Sequence, residues 1–242
     1  MAQRSGFRFL TWLGGHEMAV LLALAGVVAG VWGFALLADE VLEGGTQAFD
    51  QKLLLAFRRS DTREMLGPPA VQQAGRDISA LGGVVVLTLV TAIAAGFLAL
   101  DAKKHMALFL LGSVLSGLMA STLLKDLFHR ARPDLVPFDV YVSGASFPSG
   151  HSMMAAVTYL TLGALLARSQ SRKRLKAYFL LVAMLLTFAV GVSRVYLGVH
   201  WPTDVMAGWT AGAVWALLCW LTARRLQSRR TLERESDSQT TG

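Results

Sequence analysis

Six stretches of this chain, at about 18–38, 80–100, 106–124, 152–167, 177–193 and 205–223, contain no Asp, Glu, Lys or Arg. Most approach the roughly 20 residues that, at about 1.5 Å per residue, span about 30 Å of bilayer hydrocarbon. The expected fold is therefore all-α: a polytopic membrane protein with six transmembrane helices in a single domain over residues 1–242, with its core at 80–223. The fourth and fifth runs are short, so their polar flanks are expected within the headgroup region. The composition agrees, with 54% hydrophobic and only 16% charged residues, outside the soluble globular class. The first run follows Arg4 and Arg8 as an export signal would. It is longer than the about 7 to 15 apolar residues of such a signal, which favours an uncleaved first helix.

The net charge of +7 does not point to nucleic acid, because the basic residues cluster beside the apolar runs with no interleaved aromatic stripe. They report orientation instead. With six spans, fourteen of the 23 Lys and Arg residues fall on the side shared by the two termini: Arg4, Arg8, Lys103, Lys104, five between Arg168 and Lys176, and five from Arg224 to Arg234. That excess predicts cytoplasmic N and C termini. Cys219, the sole cysteine, lies in the sixth run, which excludes an internal disulfide and a thiolate metal cluster.

Three polar blocks punctuate the second half: KDLFHRARP from Lys125, PSGH from Pro148, and SRVYLGVHWPTD from Ser193. The six-span topology, derived without them, brings all three to the outer ends of helices. Together they supply fixed cations at Lys125, Arg132 and Arg194, histidines at His151 and His200, and a carboxylate at Asp204. Three cations can surround a tetrahedral dianion, neutral His200 can attack its phosphorus, His151 can protonate the departing oxygen, and Asp204 can orient the attacking imidazole. Pro202 fits the first turn of the last helix. Ser149 is a candidate cap and Gly150 a point of close backbone approach, so two helix N-termini aim at one anion site. Their field favours a neutral His200, whereas Asp204 favours the imidazolium.

The pattern K-x6-R-P, P-S-G-H, S-R-x5-H-x3-D resembles the signature of the type 2 phosphatidic acid phosphatase superfamily, which also includes bacterial acid phosphatases and vanadium haloperoxidases. The resemblance covers residues 125–204 closely. It implies that His200 forms a phosphohistidine, that His151 is the general acid and that Asp204 pairs with the nucleophile. It further implies that Lys125, Arg132 and Arg194 hold the phosphate with help from Ser149 and Gly150, without a metal or other cofactor.

Competing readings are weaker. Zinc ligation by His151, His200 and Asp204 is opposed by three nearby cations. His129 and Arg130, inside the first block's spacer, are candidates for a minor phosphate contact. A lipid carrier or channel needs neither the two histidines nor Asp204, and the spans hold no interior charge to mark an ion path. The expected function is thus an integral membrane phosphatase of the cell (inner) membrane, with its active site on the periplasmic or extracellular face. Its substrate would be a lipid phosphate or diphosphate, and the resemblance points first to undecaprenyl diphosphate and alternatively to phosphatidylglycerophosphate or phosphatidic acid. A lipid phosphotransferase would use the same site.

Four further expectations concern shape. Residues 46–59 form an amphipathic helix on the outer surface, with Phe49, Leu53, Leu54 and Phe57 on one face. The 134–147 segment is an irregular loop that could govern specificity. The polar 228–242 tail is disordered. Gly83, Gly112, Gly117 and Gly163 allow close helix contact.

Overall fold

The computed structural model describes the backbone of residues 3–136 and 144–240, and the side chains of 17–136 and 144–225. The helices are α1 (Gln3–Leu42), α2 (Gln47–Leu55), α3 (Pro69–Ala80), α4 (Val84–Leu100), α5 (Lys104–Leu127), α6 (Gly150–Ser169), α7 (Lys173–Tyr196) and α8 (Pro202–Thr240). Among the described residues there is no strand, only an isolated bridge between Arg58 and Met65. Hydrocarbon offers the backbone no hydrogen bonds, so apolar segments of this length satisfy their amides internally as helices.

Five helices are long and apolar enough to cross a bilayer, and a sixth span exists if α3 and α4, bent by 52°, are counted as one. The 80–100 run is where sequence and structure differ in detail. The chain breaks at Leu81–Gly83, and α4 proper has 17 residues, about 26 Å of rise. The break lies against α6: a Cβ on Gly82 would sit 3.2 Å from the His151 carbonyl oxygen, and Tyr159 of α6 donates its hydroxyl to the Leu81 carbonyl at 2.7 Å.

α6 is the hub. It packs against α7, α8 and α5, while α1 packs on α8 and α4 on α5. The most apolar stretch of α6 is 61% buried inside the protein, against 6% for that of α1. Lipid tails are as apolar as leucine, so close approach and interhelical hydrogen bonds, rather than hydrophobicity, select these contacts. A Cβ on Gly208 of α8 would lie 2.6 Å from the Ser149 carbonyl oxygen, and one on Gly212 would lie 2.6 Å from Ala156 Cβ. Gly117 and Gly163 serve the expected purpose, facing Val157 and Ala183, whereas Gly112 faces open space and Gly83 faces its own turn at Ala80. Two tryptophans also tie helices together. Trp209 donates to the Thr187 carbonyl of α7 at 3.0 Å, and Trp215 to the Ser116 hydroxyl of α5 at 3.2 Å.

Two peripheral segments depart from expectation. The 46–59 stretch contains a helix, α2, but the face turned inward carries Asp50 and Leu54, while Phe49 and Leu53 are exposed. A hydrogen-bonded carboxylate has won the inward position over two apolar side chains. The backbone of α8 stays helical through Thr240, where a disordered tail was expected. Its Arg, Leu and Glu residues are good helix formers that extend an existing helix, which needs no new nucleus. In the 134–147 loop, residues 137–143 lie outside the described residues.

Candidate active site

All eight residues singled out from the sequence stand at one end of the bundle. Lys125 is in the last turn of α5 and Arg194 in the last turn of α7, while Ser149, Gly150 and His151 open α6. His200 lies in the turn before α8 and Asp204 in its first turn. The alternating chain direction brings helix C-termini carrying the cations beside helix N-termini carrying the histidines. The two N-termini are tied directly, since the Ser149 amide donates to the Asp204 carbonyl at 2.9 Å.

His200 is almost wholly buried. Its Nε2 is 3.3 Å from Arg132 Nη1, and its Nδ1 has Asp204 Oδ2 at 3.4 Å with no closer partner. An arginine only donates, so Nε2 is the acceptor and, in the neutral ring, Nδ1 carries the proton and aims it at Asp204. The Nε2 lone pair therefore points toward Arg132. Burial holds the His200 pKa down at about 4, outweighing Asp204, which pulls it up. The opposition of field and carboxylate left open by the sequence is thus resolved in favour of the neutral ring, with desolvation as the main cause.

Arg132 touches that lone pair, and Arg194 acts on the ring electrostatically. Arg132 is fixed by the carbonyls of Val199 at 2.8 Å and Gly144 at 3.2 Å, and burial lowers its pKa against the pull of Asp204. Arg194, only 3% exposed, donates from Nη1 to Ser79 Oγ of α3 at 2.7 Å, while its Nε has no partner among the described residues. Lys125 lies over Gly150: a Cβ there would be 3.3 Å from its Nζ, so glycine makes room for the ammonium. His151 is within electrostatic reach of Arg194, His200, Lys125 and Arg132. Ser149 precedes α6 but makes no side-chain cap bond. Instead its hydroxyl accepts from Ser152 at 3.0 Å, which leaves its own proton and the first amides of α6 available to an anion. Among the described residues, no group of three or more His, Cys, Asp or Glu side chains is arranged to hold a metal ion.

The family model of the PAP2 superfamily matches residues 106–228. The chain belongs to this superfamily. It is 31% identical over 183 residues to phosphatidylglycerophosphatase B of Bacillus subtilis (strain 168), covering 74% of this chain and 85% of that protein. The crystal structure of the first transmembrane PAP2 type phosphatidylglycerolphosphate phosphatase from Bacillus subtilis superposes with a TM-score of 0.75 at 28% identity, over 82% of this chain and 96% of that one. A shorter match, 38% identical over 68 residues, is to undecaprenyl-diphosphatase of Sulfolobus acidocaldarius, covering 28% of this chain and 29% of that protein. The protein is a multi-pass membrane phosphatase, and hence a hydrolase.

Three residues at the site were not read as functional. Ser79 holds Arg194, and Asp50 and Thr203 bond to each other and to Arg130. Arg130, read as a candidate phosphate contact, instead pairs with Asp50 and Asp204, each at 2.6 Å. The one signal for Asp50 is an acid among the apolar residues of a short helix, which by itself does not separate a buried carboxylate from a solvated one.

Proposed function

We propose that this phosphatase removes the terminal phosphate of a membrane lipid through a phosphohistidine on His200. The observation that carries the reading is the ring's orientation: a neutral imidazole with Nδ1 toward Asp204 and its Nε2 lone pair toward Arg132. In the first step Nε2 forms a bond to phosphorus as the bond from phosphorus to the lipid oxygen breaks, and His151 gives that oxygen its proton. In the second step His151 takes a proton from water, whose oxygen displaces the imidazole, releasing inorganic phosphate and restoring His200. Lys125, Arg132, Arg194, Ser149 and the amides of Gly150 and His151 hold the phosphoryl oxygens, whose charge grows in the transition state. Asp204 steadies the imidazolium that forms. The chemistry needs no metal or other cofactor.

The 31% identity to a phosphatidylglycerophosphatase B over most of both chains favours phosphatidylglycerophosphate as substrate. Undecaprenyl diphosphate, the first expectation from sequence, becomes the second reading, supported by a match over 28% of this chain. The lipid's tails remain in the bilayer while its head group rises to the helix ends. The excess of Lys and Arg beside the termini supports an inner-membrane protein with cytoplasmic ends and an outward-facing site.

Phosphate release by the purified protein from a panel of phosphatidylglycerophosphate, phosphatidic acid and undecaprenyl diphosphate, with and without chelator, tests the reading. Turnover that survives chelator, is blocked by vanadate and is fastest on phosphatidylglycerophosphate is expected. Loss in chelator, restored by zinc or magnesium, would overturn the metal-free mechanism. Reporter fusions after Lys104 and Lys173 should read cytoplasmic, and those after Gly67 and Gly198 exterior.

A further inference from the structure

The carboxylate that orients His200 is itself held from behind. Asp204 Oδ1 receives Arg130 Nη1 at 2.6 Å, and its Oδ2 receives the Trp201 amide at 2.9 Å. The other arm of the same guanidinium, Nη2, donates to Asp50 Oδ2 at 2.6 Å. Asp50, on α2 and without exposed surface, also accepts the Thr203 amide at 2.9 Å and the Thr203 hydroxyl at 2.7 Å. Arg130 Nη1 reaches Thr203 Oγ1 at 2.8 Å as well, and its guanidinium lies 5.6 Å from the centre of the Trp201 ring. Both arms of Arg130 are thus turned to carboxylates rather than toward a phosphate.

This network completes the start of α8 in two parts. Counting Trp201 as the residue before the helix, Thr203 and Asp204 are its second and third residues. Asp204 reaches back to the Trp201 amide as the acidic partner of a capping box does, and the Thr203 amide, which a side chain at the cap would normally take, is taken by Asp50 of another helix. The electrostatic part follows from the same bonds. A cation shared between two aspartates neutralises part of the Asp204 charge, while Asp50 limits how much.

We propose that Asp50 and Arg130 are positioning residues, which hold Asp204 and the start of α8 in place and temper the pull of Asp204 on the His200 proton. The proposal rests on His200 being the nucleophile. The charged and titratable groups facing His200 are Asp204 of α8, Arg132 from the segment after α5, Arg194 of α7 and His151 of α6. Lys125 of α5, Arg132 and Arg130 act on Asp204. Removing the Arg130 cation strengthens the hold of Asp204 on the imidazolium, and removing the Asp50 anion weakens it. A structural defect has no reason to move the two in opposite directions.

The test is kcat and KM of the purified full chain in detergent, on a short-chain phosphatidic acid, between pH 3 and 8. Arg130→Gln is expected to raise the acid limb of kcat/KM by about one unit and to lower kcat while leaving KM within about threefold, since no phosphate contact is lost. Arg130→Lys should return the limb to within about 0.3 units, because the charge is restored without the fork. Asp50→Asn keeps an acceptor for the Thr203 amide and should lower the limb by about half a unit. A uniform loss at every pH with the limb unmoved in Arg130→Gln, a raised KM with unchanged kcat, or an unmoved or raised limb in Asp50→Asn would overturn the proposal. Should Arg130→Gln fail to fold, the Asp50→Asn shift decides the matter. Turnover retained by His200→Ala would instead sink the phosphohistidine reading itself.

Discussion

Two arginines near the His200–Asp204 pair, Arg130 partly buried and Arg194 buried, live in contrasting surroundings. Arg130 bridges two carboxylates, Asp204 and Asp50, at 2.6 Å each. Arg194 is anchored by a neutral hydroxyl at 2.7 Å and keeps a buried Nε without a partner among the described residues. A buried cation beside carboxylates is already compensated, and removing one member leaves an uncompensated charge. A buried cation beside a hydroxyl lacks that compensation, which an incoming phosphate dianion supplies. On the proposed mechanism, the difference separates a guanidinium that shapes the nucleophile from one that is ready for substrate.

The comparison can be broken most forcefully at the histidines. His200→Ala and His151→Ala should each cost at least about 10² to 10⁴ in turnover while the protein still inserts and folds, as rates measured on purified protein would show. Activity within a few-fold of wild type in either variant would remove the proposed centre to which both arginines are referred. Arg194→Gln comes next, with an expected loss of about 10² to 10³ in kcat/KM for one charged donor. Ser79→Ala should lose about tenfold or less, because it deletes the anchor and leaves the cation. Equal losses in the two would mean that the hydroxyl contact, not the charge, is what matters.

The sign of the pH dependence is a further check. Held at about 4 by burial, His200 is neutral in the folded protein where an unfolded histidine, with a pKa of about 6.5, takes up a proton. Between those values the unfolded state binds more protons. The stability His200 contributes is therefore present above about pH 6.5 and is lost as the pH falls toward 4, up to about 3 kcal/mol in all. Thermal unfolding in detergent across pH 4 to 7 should show that slope in the wild type and a shallower one in His200→Gln. The smallest effects concern packing. Gly208→Ala, which drives a Cβ to 2.6 Å from the Ser149 carbonyl oxygen, should destabilise by about 1 to 3 kcal/mol. Gly112→Ala, with nothing within 4 Å, should be neutral to within about 0.5 kcal/mol, as melting temperatures of the two would reveal.

The number of apolar runs, their helical state and the meeting of three polar blocks at one end of the bundle were legible in the sequence, because bilayer thickness and backbone satisfaction leave a run of this length few alternatives. Lys125, Arg132, Ser149, Gly150, His151, Arg194, His200 and Asp204 could be named because each lies within a block of fixed spacing. The break between α3 and α4 that lets Ser79 reach Arg194, the inward turn of Asp50 and the pairing of Arg130 with two aspartates could not. Those contacts join residues as far as 153 positions apart, and a charge beside an apolar stretch reads the same whether it meets water or a buried partner. Spacing along the chain determined which groups share the site, whereas the packing of α2 and α3 against the ends of α7 and α8 decided which charges are already neutralised there, since compensation of a buried charge depends on distance in space alone.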